Sequence, residues 1–441
     1  MNIPSPLQSI RKLRDSIAYL TSKIILVYVA LGIAAVALEI TNLPGFLDPI
    51  KFENSGTARA LLATFIASMI SLVVFSFSMV MSVLTQAGSN FSNKLVFSLM
   101  TEKRHQHVLG HYLGTILYIL ILLLVPVEEE APDIWRSLAV YLSAAMVIHS
   151  LVLFVFFIHA TSQSVQINAI TQGLLKSTQL SLKKLKKRED NKLYVRQSRV
   201  THKHTYHTIR SRDSGYIQSA KFEALAKIAQ NNRIMIHFNF SFGDFVVKDF
   251  PIIDIVSNKP PGDEVIQKIL NTLEYVEGES TKDHYINGLT QLMEVAVKSL
   301  SPGINDPGTA RLCIHQITEL LSQRLNITPT NMIINDEGAC LVSWHEESFE
   351  SLIFKLFNPI LHYGKKDLSI CLSLLKALKT LSNFADNTDR QLIQAHADRI
   401  INILADQHAD PLGLPFIEAR MSAGIHHLDI PRNLPKATGK L

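Results

Sequence analysis

The sequence predicts a membrane protein in two parts. Four transmembrane α-helices fill the N-terminal third, and a cytoplasmic α+β domain with a small β-barrel-like unit and a helical C-terminal part follows. Three observations carry this expectation. Four apolar runs of bilayer-spanning length fall between Ile24 and Ile158. Lys and Arg crowd the connections on one side of these runs and are sparse on the other. Beyond Thr161 the composition becomes that of an ordinary globular domain.

The chain has 441 residues, of which 47% are hydrophobic and 18% charged; soluble domains carry about 25% charged residues. The deficit is confined to the first third. A net charge of +5, unevenly spread, argues against a nucleic-acid partner. Cys313, Cys340 and Cys371 stand far apart with no CxxC pair. They read as buried thiols in a reducing compartment, not as a disulfide framework or a zinc site.

A bilayer core of about 30 Å needs about 20 apolar residues in a helix. The spans are predicted at about 24–40, 60–84, 109–127 and 137–158, within a membrane domain of residues 24–160. The first has a basic flank and a small-residue Ala35–Ala37, as a signal peptide would. Three further spans follow it, so a retained helix is expected. Arg11, Lys12, Arg14 and Lys23 precede it; Lys94, Lys103 and Arg104 lie between the second and third spans; Lys176, Lys183, Lys184, Lys186, Lys187, Arg188 and Lys192 follow the fourth. The other two connections hold only Lys51, Arg59 and Arg136. By the positive-inside rule the protein is expected in the cell (inner) membrane with the N-terminal segment 1–23 and the C-terminus cytoplasmic. The outer connections are acidic, with Glu39, Asp48 and Glu53 in one and Glu128, Glu129, Glu130 and Asp133 in the other.

In the second span Ser68, Ser71, Ser78, Ser82 and Thr85 recur at helical spacing, with Phe75 filling the gap. Such a face either packs closely against another helix or borders water in an oligomer. His149 falls in mid-span, where an imidazole either bonds to a neighbouring helix or handles ions or protons.

Residues 161–213 read as a helical extension and a basic linker. Its Lys183–Arg188 run is either a solvated face or a contact with anionic lipid headgroups. His202, His204 and His207 have metal-like spacing, but no Cys or acid accompanies them, so a polar linker or exposed strand is expected and no metal. Residues 214–260 read as a small α/β unit. It has a strand at Gly215–Gln218, a helix at Lys221–Gln230, a half-buried strand at Arg233–Phe240 and a returning strand at Phe245–Ile255. Gly243, Asp244, Val246, Pro251 and Ile252 look like the hairpins of lipoyl or biotinyl carrier barrels. The Met-Lys-Met of those carriers is missing, so a similar barrel without a cofactor is implied.

Residues 261–441 read as mainly helical: Asp263–Val276, Asp283–Leu300, Pro307–Arg324, Ser348–His362, Asp367–Leu381 and Thr388–Leu404. A hairpin at Asn331–Ile334 and Ala339–Ser343 interrupts them. Ser301-Pro302-Gly303-Ile304-Asn305-Asp306-Pro307 joins two of these helices. Pro302 stops one, and Asp306 with Pro307 starts the next. The alternative is that Ser301, Asn305 and Asp306 present oxygens to an ion or small ligand. A serine nucleophile is not supported, since no G-x-S-x-G occurs.

The S-P-G-I-N-D-P-x-T-A of Ser301–Ala310 resembles the signature of the bacterial "domain of unknown function 2254" family of predicted membrane proteins. The S-x-F-S of Ser89–Ser92 and the S-G-Y-I-Q…G-D-F-V-V…P of Ser214–Pro251 match as well. Asn93 and Lys94 stand where the family often has Pro-Arg. The resemblance implies a multipass membrane protein with a cytoplasmic domain and assigns no catalytic residues.

Three functions compete at this level. One is a sensor or scaffold whose cytoplasmic domain binds a ligand or partner, with gating of ion flow as an extension. The second is a homo-oligomeric channel lined by the second helix. The third is an enzyme at the membrane surface, which no nucleophile, phosphate loop or acid/base pair supports.

Overall fold

The structure is a computed structural model that describes residues 18–37, 52, 54–90, 103–124, 134–164, 166–196, 206–276, 284–408 and 410–436. Glu39, Asp48, Glu53, Glu128, Glu129, Glu130, Asp133, His202 and His204 lie outside them. The chain divides into two compact units, residues 1–169 and 170–441.

The first unit holds four helices: α1 (Ala18–Ala37), α2 (Ser55–Asn90), α3 (Lys103–Leu124) and α4 (Ile134–Ser164). Each contains an apolar stretch long enough to cross a bilayer: Tyr19–Ala37, Ser55–Thr85, Gln106–Leu124 and Ile134–Ser162. Apolar side chains such as Leu26, Phe77 and Phe156 cover the outside, and Met69, Tyr112, Tyr118 and Ile119 fill the inside. In lipid there is no hydrophobic force between helices, so close approach decides which ones pair. α3 offers Gly110 and Gly114 one turn apart. A Cβ on Gly110 would lie 3.0 Å from the Ile24 side chain, and one on Gly114 only 2.7 Å from the Tyr28 ring. α1 therefore lies directly on this small-residue notch. Thr21 Oγ1 donates to the Gln106 carbonyl at 3.1 Å, and Trp135 Nε1 donates to the Ala35 carbonyl at 3.0 Å. Tyr118 Oη donates to the Ala139 carbonyl at 3.2 Å, tying α3 to α4.

The second unit begins in α5 (Ile167–Glu189), which buries Ile170, Leu174, Leu175, Leu182 and Leu185. Its strands and helices are β1 (Tyr194–Val195), β2 (Tyr206–Arg210), β3 (Gly215–Ala220), α6 (Phe222–Asn232), β4 (Met235–Ser241), β5 (Phe245–Val246), β6 (Pro251–Val256), α7 (Asp263–Leu270), β7 (Leu273–Val276), α8 (Tyr285–Ser299), α9 (Pro307–Leu325), β8 (Met332–Ile334), β9 (Cys340–His345), α10 (Phe349–Gly364), α11 (Leu368–Leu381), α12 (Asn387–His408) and α13 (Leu414–Ser422). A six-stranded sheet has the order β1-β8-β9-β4-β6-β2, and a three-stranded sheet has the order β5-β3-β7.

No barrel closes among the described residues, which corrects the expected barrel-like unit. The neighbour of β4 is β9, about a hundred residues later and parallel to it, with Ile236 opposite Val342. The expected return strand Phe245–Ile255 is also split. β5 pairs with β3 in the small sheet and β6 pairs with β4 in the large one. The break falls at Asp249, whose φ is +65°, beside Pro251. A second correction concerns Asp263–Val276. Only Asp263–Leu270 is helical, and Leu273–Val276 forms β7 on β3. Thr272, Tyr275 and Val276 favour a strand once an edge is at hand. The hairpin β8–β9 forms as expected, closed by Asn335, whose side chain accepts from the amides of Glu337 and Ala339.

The helices α8 to α12 pack as a layer that also holds α5. A Cβ on Gly288 would lie 1.8 Å from Thr178 Oγ1, so α5 and α8 touch at backbone distance. Gln179 Nε2 donates to Glu319 Oε1 at 2.8 Å, and the Thr328 amide donates to Glu189 Oε1 at 3.0 Å. The buried Arg324 donates to Tyr285 Oη at 3.0 Å and to the Ile327 carbonyl at 3.1 Å. Farther on, the buried Lys379 donates to the carbonyls of Arg420, Met421 and Ala423 and so fastens the end of α13.

The turn from α8 to α9 closes on itself. The amides of Ile304 and Asn305 donate to the Ser301 carbonyl at 3.0 and 2.9 Å, and that of Asp306 to Ser299 at 2.8 Å. Asn305 has φ +46°. Asp306 caps α9: one carboxylate oxygen accepts from the Thr309 amide at 3.1 Å and the other from its hydroxyl at 2.6 Å. These bonds hold the Asp306 carboxyl below the usual carboxylate range.

Two consequences are measurable. Gly114→Ala should lower the stability of the detergent-solubilised protein by about 1–3 kcal/mol, the cost of an overpacked contact. Gly88→Ala, where nothing lies within 4 Å, should not. Asp306→Ala should cost about 1 kcal/mol at neutral pH, as lost caps do. A depressed carboxylate stabilises the fold above its unfolded pKa of about 3.9, and that contribution is lost as pH falls through the folded value. Denaturation curves of wild type and Asp306→Ala should therefore converge in acid.

Candidate intramembrane polar site

The apolar spans enclose a cluster of aromatic and imidazole side chains that three helices bring together. Because Gly114 has no side chain, the Tyr28 ring of α1 settles over α3, and its hydroxyl lies 2.8 Å from His111 Nδ1. His107, one turn earlier on α3, stacks on His111 with ring centroids 5.4 Å apart and planes at 3°. From α4, His149 meets His111 edge-on at 5.2 Å. Just beyond, Thr115 Oγ1 donates to the His111 carbonyl at 2.8 Å and lies 3.4 Å from Ser150 Oγ. Both Thr115 and Ser150 are fully buried. The hydroxyls of Ser76 on α2 and Tyr112 on α3 are both buried and face each other.

His149 is thus in contact with its neighbours, as the sequence allowed. His107 and His111 were not singled out from the sequence. Their signal is a pair of histidines spaced i, i+4 at the start of an apolar span, next to Gly110 and Gly114. Among the described residues no three His, Cys, Asp or Glu side chains are placed to hold a metal ion. Each imidazole of the cluster offers two ring nitrogens that donate or accept according to its tautomer.

The serine stripe of α2 has a different setting. Ser68, Ser71, Ser78, Ser82 and Thr85 are all exposed on the protomer, as is Phe75. The hydroxyls of Ser68, Ser71 and Thr85 donate to the carbonyls of Thr64, Ala67 and Met81, at 2.8, 2.9 and 2.8 Å. These hydroxyls are satisfied within their own helix, and Phe75 in the same stripe meets Phe154 of α4 edge-on at 5.7 Å. Ser301, Asn305 and Asp306 come together in the turn before α9, where the Asp306 carboxylate is committed to the cap. Ser301 and Asp306 are half-buried and Asn305 is exposed. The cysteine thiols are out of play: burial pushes Cys313 and Cys371 up to about 12 and Cys340 up to about 11.

Comparison with known proteins places this geometry in context. Uncharacterized proteins of Mycobacterium bovis and Mycobacterium tuberculosis are 24% identical to the chain over 394 residues, covering 87% of it and 75% of each relative. No solved structure matches the chain. The model of a family described as "Predicted membrane protein (DUF2254)" matches residues 14–380, across both units. The chain, with its four apolar helices followed by an α+β unit, belongs to the DUF2254 family of predicted membrane proteins.

Proposed function

We propose that the protein passes protons or small cations through its helical unit, as a homo-oligomer, with a cytoplasmic α+β unit that responds to a ligand or partner. The observation that carries this reading is the contact of His111 with His107, His149 and Tyr28 inside apolar spans. An imidazole takes a proton on one nitrogen and releases one from the other. His107 stands at the start of the α3 span and His149 midway along that of α4. The series therefore leads from one end of the spans toward the middle, where Ser76 and Tyr112 offer buried hydroxyls. His149 and the α2 stripe are exposed on the protomer. Polar groups at membrane depth face water or protein, and a second copy of the chain supplies either a cover or a shared aqueous path.

The competing reading is an anchored sensor or scaffold. It is favoured by the loop after β4, where Phe245, Val247 and Phe250 are 56%, 52% and 43% exposed on the α+β unit. Such a patch suits a partner protein.

Reconstituted in vesicles holding a pH-sensitive dye, under a potassium-diffusion potential, the protein should admit protons well above protein-free vesicles. His111→Phe and His149→Phe should each reduce the rate by about tenfold or more, in line with the loss of a proton-transferring group. Leu26→Ala, on the outer face of α1, should leave it unchanged. No flux of protons or monovalent cations by the wild-type protein would reject the conducting function and leave the anchored sensor. Water at α2 has its own test. With the native cysteines replaced, single cysteines at Ser71, Ser78 and Ser82 should react with membrane-impermeant maleimides. Silence at all three would make the stripe a packing face between copies.

A further inference from the structure

At the end of the helical unit where α1 and α3 finish and α2 and α4 begin lies a cavity of about 60 Å³. Ala35, Leu62, Leu122 and Val140 give it apolar walls, and Arg59 and Arg136 also line it. Arg136 is the third residue of α4 and Arg59 the fifth of α2, near the helix ends whose dipoles repel a cation. Neither helix has an acidic residue in its first turn, and neither arginine has an ion pair among the described residues. Both also run against the charge bias that orients the spans, since their connections are the ones poor in Lys and Arg. Two guanidinium groups and two helix N-termini therefore border one small space.

The space has a further polar feature. Ser137, 1% exposed, lines it. Its Oγ accepts from the Phe52 amide at 3.2 Å. The level is that of an interfacial belt: Trp135 donates to the Ala35 carbonyl at 3.0 Å, and Phe52 stacks on Tyr141 at 5.2 Å. Trp and Tyr collect where hydrocarbon meets headgroups.

We infer that this cavity binds a phosphate group through Arg59, Arg136 and Ser137, with an apolar tail lying against Leu62, Leu122 and Val140. Guanidinium groups match phosphate oxygens in pairs, and the walls suit hydrocarbon. A phospholipid headgroup and a free phosphate share the chemistry at the arginines and differ in the use made of the walls.

The test uses full-length protein, delipidated in a nonionic detergent, and follows its melting temperature on addition of phosphatidylglycerol, or separately of inorganic phosphate. Native mass spectrometry counts retained lipid. Phosphatidylglycerol should stabilise the wild type saturably, and Arg59→Gln/Arg136→Gln should weaken that response by about tenfold, the scale of a lost charge-assisted contact. Arg59→Lys/Arg136→Lys, which keeps both charges, should retain most of it. This reports on the site even if the neutral variant folds less well. A saturable response to inorganic phosphate that matches the lipid response would make the free anion the ligand and still support the site. If wild type responds to neither, or if the Gln and Lys pairs respond to lipid as the wild type does, the inference is overturned.

Discussion

A polar group placed in hydrocarbon finds no solvent, so it must be answered by the protein itself. The helical unit is arranged around that constraint. Tyr28 and His111 meet where α1 crosses α3, and the crossing is close only because Gly110 and Gly114 leave room for Ile24 and Tyr28. A residue with no side chain therefore positions the hydroxyl that reaches His111. Filling the notch would separate the helices and leave the imidazole without its neighbour. Packing and chemistry in this unit are one arrangement.

The α+β unit obeys a different rule, because water is available to whatever the core does not use. Its strands bury Ile236, Phe238, Phe240, Ile253 and Ile255 in one cluster, together with Val342 and Trp344 from the distant hairpin. Its helices close on a few buried polar anchors, among them the cations Arg324 and Lys379. Each donates to carbonyls left over at chain turns and helix ends, groups that would otherwise be costly to bury. These two side chains do for the second unit what the glycine notch does for the first, by fixing where segments meet.

What was legible in the sequence follows from the range of the forces involved. The spans were legible because lipid demands a local property, about twenty apolar residues in a row. The α9 cap was legible for the same reason: Asp306 and Pro307 act on the helix that follows them. The sheet was not, because β4 takes β9 as its parallel neighbour and no local signal announces a partner a hundred residues away. Helix α7 was overextended because Leu270–Val276 continues an apolar pattern, and only the edge of β3 makes it a strand. The site was legible in part. His149 stands out as an imidazole in mid-span, but its companions emerge only when Tyr28 is known to lie over Gly114. The spacing of the α2 serines revealed a face, and the fold adds that its serines are exposed among the described residues.

That last point bears on how many copies act together. A stripe of back-bonded serines costs little in lipid, because each hydroxyl already has a carbonyl. Its exposure alone is therefore a weak argument for water. His149 is different. An imidazole keeps a donor and an acceptor that its own helix cannot satisfy, and the ring contact with His111 uses only one edge. The ring is exposed at mid-span, where lipid offers nothing. In the proposed oligomer the demand for a second surface or a column of water arises at α4, and the α2 face is where two protomers would approach. Oligomerisation and conduction, in this reading, are both driven by the histidine.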